Sequence, residues 1–194
     1  MCNLDQFVLI KQPRVTEEGV REFFHKAADL KTVVITCMDP RSRGATAAVA
    51  REFGHNWPGE NVVDENGMKV GHTTNIFEVV TIGGRAADAL RSITMMEYTL
   101  GIKENIVVVH HSFCGNTGAT PSGIIDAFKN EHHVDISTEY APENLGISDF
   151  EHSLRHDVAL LRNAPGVPND LDIYGYVFDI NTEKLFKVVE DRAA

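Results

Sequence analysis

Two apolar stretches of the sequence each lead into residues that bind metal ions. Residues 32–36 (TVVIT) are followed by Cys37, and residues 106–109 (IVVV) are followed shortly by His111 and Cys114. Short runs of β-branched residues are typical of buried strands. In an open parallel sheet the carboxyl ends of the strands form a crevice in which ligands bind. We therefore expect Cys37, His111 and Cys114 to meet at that edge of the sheet.

These three residues predict a zinc site. Two thiolates and one imidazole suit Zn²⁺, whose tetrahedral shell would keep a fourth place for water or for a carboxylate such as Asp39. Neither part of this pattern is strong evidence by itself. A single Cys at a strand end is usually a small buried hydrophobic residue, and H-x-x-C is common by chance. The two halves together predict a catalytic site with one zinc ion per chain, bound by Cys37, His111 and Cys114.

Asp39 and Arg41 are the candidate catalytic residues. Zinc lowers the pKa of bound water to about 7, so a hydroxide nucleophile exists at neutral pH. A carboxylate two residues from a ligand can accept a hydrogen bond from that hydroxide and orient it, while Arg41 holds the carboxylate through a bidentate pair. The alternatives are a loop-capping role for Asp39 and a solvated charge for Arg41. If the pair broke, Asp39 would be free to become the fourth zinc ligand.

His110 precedes the ligand His111 but is predicted to be structural. Successive side chains of a strand point to opposite faces, so the two imidazoles are expected to diverge. His110 is therefore not counted among the metal ligands.

Composition sets limits on the class of protein. The chain has 194 residues, of which 43% are hydrophobic, enough for one α/β domain over residues 1–194. We expect no membrane segment, because no long apolar stretch or signal sequence is visible, and a cytoplasmic location. The net charge of −10 argues against a nucleic-acid partner or an anionic membrane surface. Cys2, the one cysteine outside the metal pattern, fits a reducing compartment and is expected to be inert.

The order of the predicted elements indicates an α/β fold with a mostly parallel central sheet flanked by helices and a C-terminal hairpin. A capping box of Ser148 and Glu151 is expected to begin the last helix. Residues 54–75 carry four glycines and Pro58 and have no clear period, so they are predicted to be a long loop insert. Strands are predicted at residues 32–37, 76–82, 105–112, 171–178 and 185–189, and helices at 16–30, 45–53, 86–100, 121–129 and 148–161.

The motifs resemble those of the β-class carbonic anhydrases, whose zinc is held by a C-x-D-x-R cluster and a downstream H-x-x-C. Here these patterns lie at residues 37–41 and 111–114. Residues 83–92 (GGRAADALRS) are similar to the family's glycine pair and the helix after it, and residues 176–185 (YVFDINTEKL) are similar to its last hairpin. The resemblance covers most of the chain between residues 16 and 190 and implies a β-carbonic-anhydrase-like fold.

The resemblance also implies an oligomer. In the family the N-terminal helix, at about residues 16–30 here, packs on a partner subunit, and two subunits build each pocket together. Val20, Phe23 and Phe24 lie on one side of this predicted helix. A homodimer or a higher even oligomer is therefore expected, with the helix as a dimerisation arm.

The resemblance implies an enzyme that uses zinc-bound hydroxide to attack a linear molecule like CO₂. Two departures from the family pattern bear on the substrate. Val80, Thr81 and Ile82 stand where R-N-A is expected, and Ser112-Phe113 replaces the T-D that is frequent inside H-x-x-C. The changes replace polar groups by apolar ones. The candidate substrate pocket comprises Val80, Ile82, Gly83 and Phe113.

An apolar pocket favours a less polar substrate and product. Bicarbonate is an anion that prefers hydrogen-bond donors, whereas carbonyl sulfide, H₂S and CO₂ do not. Enzymes that hydrolyse carbonyl sulfide or carbon disulfide share the family's fold and zinc shell. The sequence thus favours a carbonyl sulfide hydrolase (COS + H₂O to CO₂ + H₂S), with carbonic anhydrase (carbonate dehydratase) activity as the alternative. A non-catalytic zinc-binding or regulatory homologue is the third interpretation.

Overall fold

A five-stranded sheet forms the centre of this computed structural model, which describes residues 4–193. The strand order is β4-β1-β5-β6-β7; neighbours are parallel except β6 and β7, which form an antiparallel C-terminal hairpin. The strands are β1 (Thr32–Cys37), β2 (Asn61–Val63), β3 (Lys69–His72), β4 (Ile76–Thr81), β5 (Asn105–His111), β6 (Asp172–Phe178) and β7 (Leu185–Asp191). The helices are α1 (Glu17–Ala27), α2 (Ala45–Phe53), α3 (Leu90–Leu100), α4 (Pro121–Ala127) and α5 (Phe150–Arg162).

The two central strands are buried along their whole length. Every residue of β1 and of β5 is buried, because helices and loops cover both faces of the sheet. Burying one Val or Ile side chain stabilises the fold by about 1.5–3 kcal/mol, so each of the β-branched runs contributes substantially to core stability. One core cluster includes Val33, Ile35, Ile106, Val108, Leu154 and Ile173, and the other includes Val34, Val49, Val107, Val109, Tyr176 and Phe178. The predicted α/β class is confirmed.

Several helix boundaries differ from the predicted ones. Helix α3 begins at Leu90 rather than at residue 86, because the Ala86 N–H is directed to the Asp157 carboxylate and residues 86–89 form a turn. The predicted capping box at the start of α5 is wrong. Asp149, not Ser148, is the N-cap, and its carboxylate accepts a hydrogen bond from the His152 N–H at 2.7 Å.

The segment 54–75 contains regular structure, so its prediction as a loop without regular structure is wrong in that respect. Strands β2 and β3 pair as a small antiparallel hairpin. Its turn is built around Asp64, whose carboxylate accepts hydrogen bonds from the N–H groups of Asn66 and Met68, both at 2.9 Å, and Gly67 adopts a φ of +78°. Strands of three and four residues are too short to give a detectable alternation in the sequence.

Helix α1 is shorter than predicted and lies on the outside of the fold. It begins after Thr16, whose side chain accepts a hydrogen bond from the Gly19 N–H at 3.1 Å, and it buries none of its residues. Its closest packing partner among the helices is α3. Cys2 lies outside the described residues.

Candidate metal centre

The ends of β1 and β5 and the turn after β5 bring the three predicted ligands together. Parallel pairing of the two strands places Cys37 and His111 at the same edge of the sheet, and the turn that follows His111 returns Cys114 to them. One ligand atom from each of the three residues lies within 4.8 Å of the other two. All three residues are buried. The cluster predicted from the two strand ends is therefore present in the structure.

A glycine makes this close approach of the strands possible. Gly84 adopts a φ of +70°, and a Cβ at this position would lie 2.5 Å from the Val109 carbonyl oxygen and 3.3 Å from the Cys37 nitrogen. No side chain fits there. The glycine pair of the sequence motif is thus required by the packing of the turn after β4 against β1 and β5.

The state of the His111 ring fits a metal ligand. Its Nδ1 lies 2.9 Å from the Ser112 carbonyl oxygen, which can only accept, so Nδ1 carries the proton. Its Nε2 is buried and has no hydrogen-bond partner. A buried acceptor without a partner is costly, and an imidazole whose other nitrogen donates to a carbonyl is the usual arrangement of a metal ligand.

The two sulfur atoms are also spaced for zinc. Cys37 Sγ and Cys114 Sγ are 3.9 Å apart. A tetrahedral ion with Zn–S bonds of about 2.3 Å separates two sulfurs by about 3.8 Å. Burial raises the pKa of the Cys114 thiol to about 11, and the neighbouring Cys37 adds to the rise. A thiol that coordinates a cation is deprotonated, so a bound metal ion would offset the effect of burial at Cys114. The residues present fit one zinc ion per chain.

Asp39 and Arg41 form a bidentate pair next to the cluster. Arg41 Nη2 donates to Asp39 Oδ2 and Arg41 Nε to Asp39 Oδ1 at 3.0 Å, and the Arg41 backbone N–H donates to Oδ1 at 2.9 Å. These hydrogen bonds from Arg41 hold the pKa of the Asp39 carboxyl well below its usual range. Asp39 Oδ2 lies 3.9 Å from His111 Nε2. The carboxylate is therefore ionised and faces the cluster while Arg41 holds it.

Arg41 also connects the two ligand-bearing loops. Its Nη2 donates to the carbonyl oxygen of Phe113 at 3.0 Å. Phe113 lies between His111 and Cys114 in the chain. Phe113 adopts a φ of +55°, a left-handed conformation that is unusual for an aromatic residue. Its side chain is 72% exposed. The guanidinium thus supports both the carboxylate and the strained turn.

A cavity of about 490 Å³ opens over the metal centre. It is lined by Cys37, Met38, Asp39, Pro40, Ile82, Cys114, Gly115 and Asn116. Of the four residues predicted for the substrate pocket, Ile82 lines this cavity. Val80, Gly83 and Phe113 lie nearby but are not among its lining residues, and Val80 and Phe113 are largely exposed. The lining is mainly apolar on the side of Met38, Pro40 and Ile82.

His110 lies apart from the cluster, as the strand alternation predicted. Its ring is completely buried, and Nε2 lies 3.0 Å from the Ser153 hydroxyl on α5. Burial, helped by the charge of Arg85, lowers the pKa of His110 to about 3, so the ring is neutral. His110 therefore serves the packing of α5 on the sheet.

Several residues around the site were not singled out in the sequence. Met38 follows Cys37 directly, and Asn116 lies two residues after Cys114; both line the cavity. Their closeness to predicted ligands in the chain was the signal that could have identified them. Arg85 lies within the motif at residues 83–92, but its buried pair with Asp157 gave no signal, because residues 72 apart in the chain meet only in the folded protein.

Comparisons with known proteins agree with this geometry. The putative carbonic anhydrase YvdA of Bacillus subtilis is 27% identical over 82% of this chain and 77% of its own length. The carbon disulfide hydrolase of an Acidianus species is 29% identical and the β-carbonic anhydrase 1 of Mycobacterium bovis 30% identical, each over 52% of this chain. Those two matches span 58% and 59% of the relatives' own lengths. No profile of a known protein family matches the sequence.

The solved structures lead to the same group. The crystal structure of a carbonic anhydrase from Streptococcus mutans superimposes with a TM-score of 0.61 at 27% identity and covers 97% of this chain and 99% of its own. The chain is thus a mixed α/β protein with a Cys-His-Cys centre that fits one zinc ion, and its fold is similar to that of a carbonic anhydrase. The resemblance seen in the sequence is confirmed by these comparisons: the chain is similar to β-carbonic anhydrases and to a carbon disulfide hydrolase.

Among residues 4–193, no helix is both long enough and apolar enough to cross a membrane.

Proposed function

We propose that this protein is a zinc enzyme that adds water to a linear molecule like CO₂. The observation that carries the proposal is the Cys37-His111-Cys114 cluster with the Asp39–Arg41 pair beside it, under a cavity open to a small substrate. Zinc bound at such a cluster supplies Lewis-acid activation of water at neutral pH.

Asp39 orients the water that reacts. Its carboxylate faces the cluster and is ionised, so it can accept a hydrogen bond from a water molecule in the cavity and direct the oxygen lone pair to the substrate carbon. Arg41 holds the carboxylate in this position through three N–H groups, and fixed positioning of this kind accelerates a reaction. The arrangement is matched to attack on an electrophilic carbon.

Backbone groups stabilise the ligand sulfurs. The Asp39 N–H donates to Cys37 Sγ at 3.4 Å, and the N–H of Asn116 is directed to the Cys114 thiol and lowers its pKa against the effect of burial. A hydrogen bond to sulfur favours the thiolate form, which at Cys114 partly offsets the effect of burial.

Within this chemistry we propose carbonyl sulfide as the substrate. Met38, Pro40 and Ile82 give the cavity an apolar side, and no Lys or Arg is among its lining residues. Arg41, the nearest guanidinium, is engaged with Asp39 and with the Phe113 carbonyl oxygen. A site with few free donors suits uncharged CO₂ and H₂S better than bicarbonate.

Hydration of CO₂ is the second candidate. It is favoured by the names of two relatives, which are a putative carbonic anhydrase and a β-carbonic anhydrase, whereas a third relative is named a carbon disulfide hydrolase. The Asp39–Arg41 pair serves both reactions, because both need an oriented water and a linear electrophile.

A purely structural zinc site is the least favoured alternative. Structural sites usually have four Cys or His ligands, whereas the cluster found among the described residues has three. Asp39 would be the nearest fourth ligand, and it is paired with Arg41 instead. An open fourth position supports a catalytic role.

The substrate is tested by offering the purified protein CO₂ and carbonyl sulfide in parallel, following proton release and H₂S. We expect efficient H₂S release and CO₂ hydration that is slower by about a hundredfold, the effect of a few kcal/mol on a barrier. Ile82→Asp, at the predicted pocket residue that lines the cavity, should shift the ratio toward CO₂, and Val80→Asp, at a similarly exposed residue that does not line the cavity, is the matched control. Rapid CO₂ hydration without H₂S from carbonyl sulfide would establish the carbonic anhydrase alternative.

We further propose that the working protein is a homodimer or a higher even oligomer in which α1 is the dimerisation arm of a single domain. The support is the exposed apolar surface of that helix, where Phe23 is 57% exposed. A cytoplasmic location and the lack of a nucleic-acid partner stay predictions from composition and from the net charge of −10.

A further inference from the structure

Arg85 and Asp157 form a buried ion pair close to the metal cluster but outside it. Arg85 Nε lies 2.9 Å from Asp157 Oδ2 and Nη2 lies 3.0 Å from Oδ1, and the side chains are 1% and 0% exposed. Neither residue lines the cavity over the metal centre. A buried ion pair is often no more stabilising than apolar residues of the same volume, because removing charges from water is costly. Stability alone therefore does not explain this pair.

The pair joins three segments of the chain. The guanidinium also donates from Nη2 to the Glu143 carbonyl oxygen at 2.8 Å and from Nη1 to the Gly146 carbonyl oxygen. The Asp157 carboxylate accepts from the Ala86 N–H at 3.3 Å. The turn after β4, the segment 143–147 and helix α5 are thus fixed to one another through a single guanidinium and a single carboxylate.

The segment 143–147 supports the loop that carries Cys114. The Ile147 N–H donates to the Asn116 carbonyl oxygen at 2.9 Å, and a Cβ on Gly146 would lie only 2.9 Å from the Ala119 carbonyl oxygen. Asn116 lies in the turn that follows Cys114, and the Thr117 N–H of that turn donates to the Cys114 carbonyl oxygen at 3.0 Å. A displacement of this segment would therefore be transmitted to the second cysteine.

The turn before Arg85 supports the loop that carries Cys37. Gly83 and Gly84 directly precede Arg85, and the Gly84 Cβ position is 3.3 Å from the Cys37 nitrogen. The Gly83 Cβ position is 3.2 Å from Ile147 Cδ1, so the two supporting segments also touch each other. Arg85 connects the two segments: it follows Gly84 directly in the chain, and its guanidinium donates hydrogen bonds to the segment 143–147.

We propose that Arg85 and Asp157 are positioning residues of the metal centre. They fix the two cysteine loops relative to each other and so set the separation of the two sulfurs, which is 3.9 Å here. The inference rests on the proposed function only in requiring that the chain binds a metal ion at the cluster. Outer groups that orient metal ligands typically change metal affinity by about 10- to 100-fold when they are replaced.

Two variants test the proposal in the full-length protein. Arg85→Lys keeps the positive charge but loses the planar group that bonds Asp157, Glu143 and Gly146 together. The double variant Arg85→Met with Asp157→Leu removes both charges and keeps similar volumes. For each we would record the absorption spectrum of the cobalt-substituted protein and the rate of zinc release to a chelator, with circular dichroism to verify folding. We expect shifted cobalt bands and zinc release faster by about tenfold or more.

A second Arg–Asp pair on the same helix gives a matched control. Arg162, at the far end of α5, has Nε 3.0 Å from Asp191 Oδ2 and donates to the carbonyl oxygens of Asn169 and Leu171 near the start of β6. That is the edge of the sheet opposite the metal centre. Arg162→Met with Asp191→Leu should lower the thermal stability but leave the cobalt spectrum and the zinc release rate unchanged.

An unchanged cobalt spectrum and zinc release rate in folded Arg85→Lys would overturn the proposal. Equal changes in the Arg162–Asp191 control would also overturn it, because the effect would then follow general destabilisation. If the double variant does not fold, Arg85→Lys decides the question by itself. If the unmodified protein binds neither zinc nor cobalt, the proposed function fails instead, so the two failures are distinguishable.

Discussion

The metal centre and the N-terminal arm, defined as residues 4–29, differ in how far the rest of the chain covers them. At the metal centre the three ligands are each less than 10% exposed, and hydrogen bonds orient the imidazole and the neighbouring carboxylate. In the arm no residue is buried. One chain therefore supplies all three residues of the cluster, whereas it leaves the apolar surface of the arm exposed.

The arm exposes an unusual amount of apolar surface. A cavity of about 490 Å³, as large as the one over the metal centre, lies between the arm and α3 and has an almost entirely apolar lining. Exposed apolar patches of this kind mark interaction surfaces. The exposed apolar residues of the arm are Leu4, Phe7, Val8, Leu9, Ile10 and Phe23. This contrast is the structural support for the proposed homodimer.

Loss of a ligand is expected to have the largest effect. Replacing Cys114 with Ser should remove most of the zinc and reduce the activity to the level of the metal-free protein, because two ligands remain and a buried hydroxyl replaces a thiolate. Metal content per chain and turnover are the measurements. Ser112→Ala, beside the ligand His111 but outside the cluster, is the control that should keep its zinc. Full zinc retention by Cys114→Ser would remove Cys114 from the site.

Changes to Asp39 and Arg41, which orient the reacting water, are expected to have the second largest effect on the rate. Asp39→Asn and Arg41→Ala should keep the metal and lower the rate by roughly tenfold to a thousandfold, because they disturb the position of the water and leave the three ligands intact. Zinc content and kcat, measured on the same preparation, separate the two properties. Undiminished turnover in Asp39→Asn would make Asp39 a bystander.

The smallest effect on a single chain is expected in the arm. Phe23→Asp should change the stability of the monomer by about 0.5 kcal/mol or less, because the side chain is 57% exposed, but it should weaken association. Sedimentation at micromolar protein is the measurement, with Phe186→Asp on β7, 54% exposed, as the control. A monomeric unmodified protein would contradict the proposed dimer. Loss of zinc in Phe23→Asp would show that the two regions are not independent.

The sequence predicted the parts of the molecule in which chemistry and periodicity are local. The β-branched runs of β1 and β5 predicted buried strands, and the ligand set followed from residue types at their ends. Segments with weak local signals were predicted less well. The β2–β3 hairpin was expected to be a loop, and the cap of α5 was placed at Ser148 because two adjacent polar residues, Ser148 and Asp149, can both act as caps.

The sequence by itself determined the sheet class, the Cys-His-Cys cluster and the Asp39–Arg41 pair, because strand propensity and ligand chemistry depend on residues that are neighbours in the chain or share a motif. Only the tertiary structure decided that Ile82 lines the cavity while Val80 and Phe113 do not, and that Arg85 meets Asp157 on α5. The direction of a side chain in a turn and the pairing of residues distant in the chain depend on how whole segments pack. That information exists only once the core has formed.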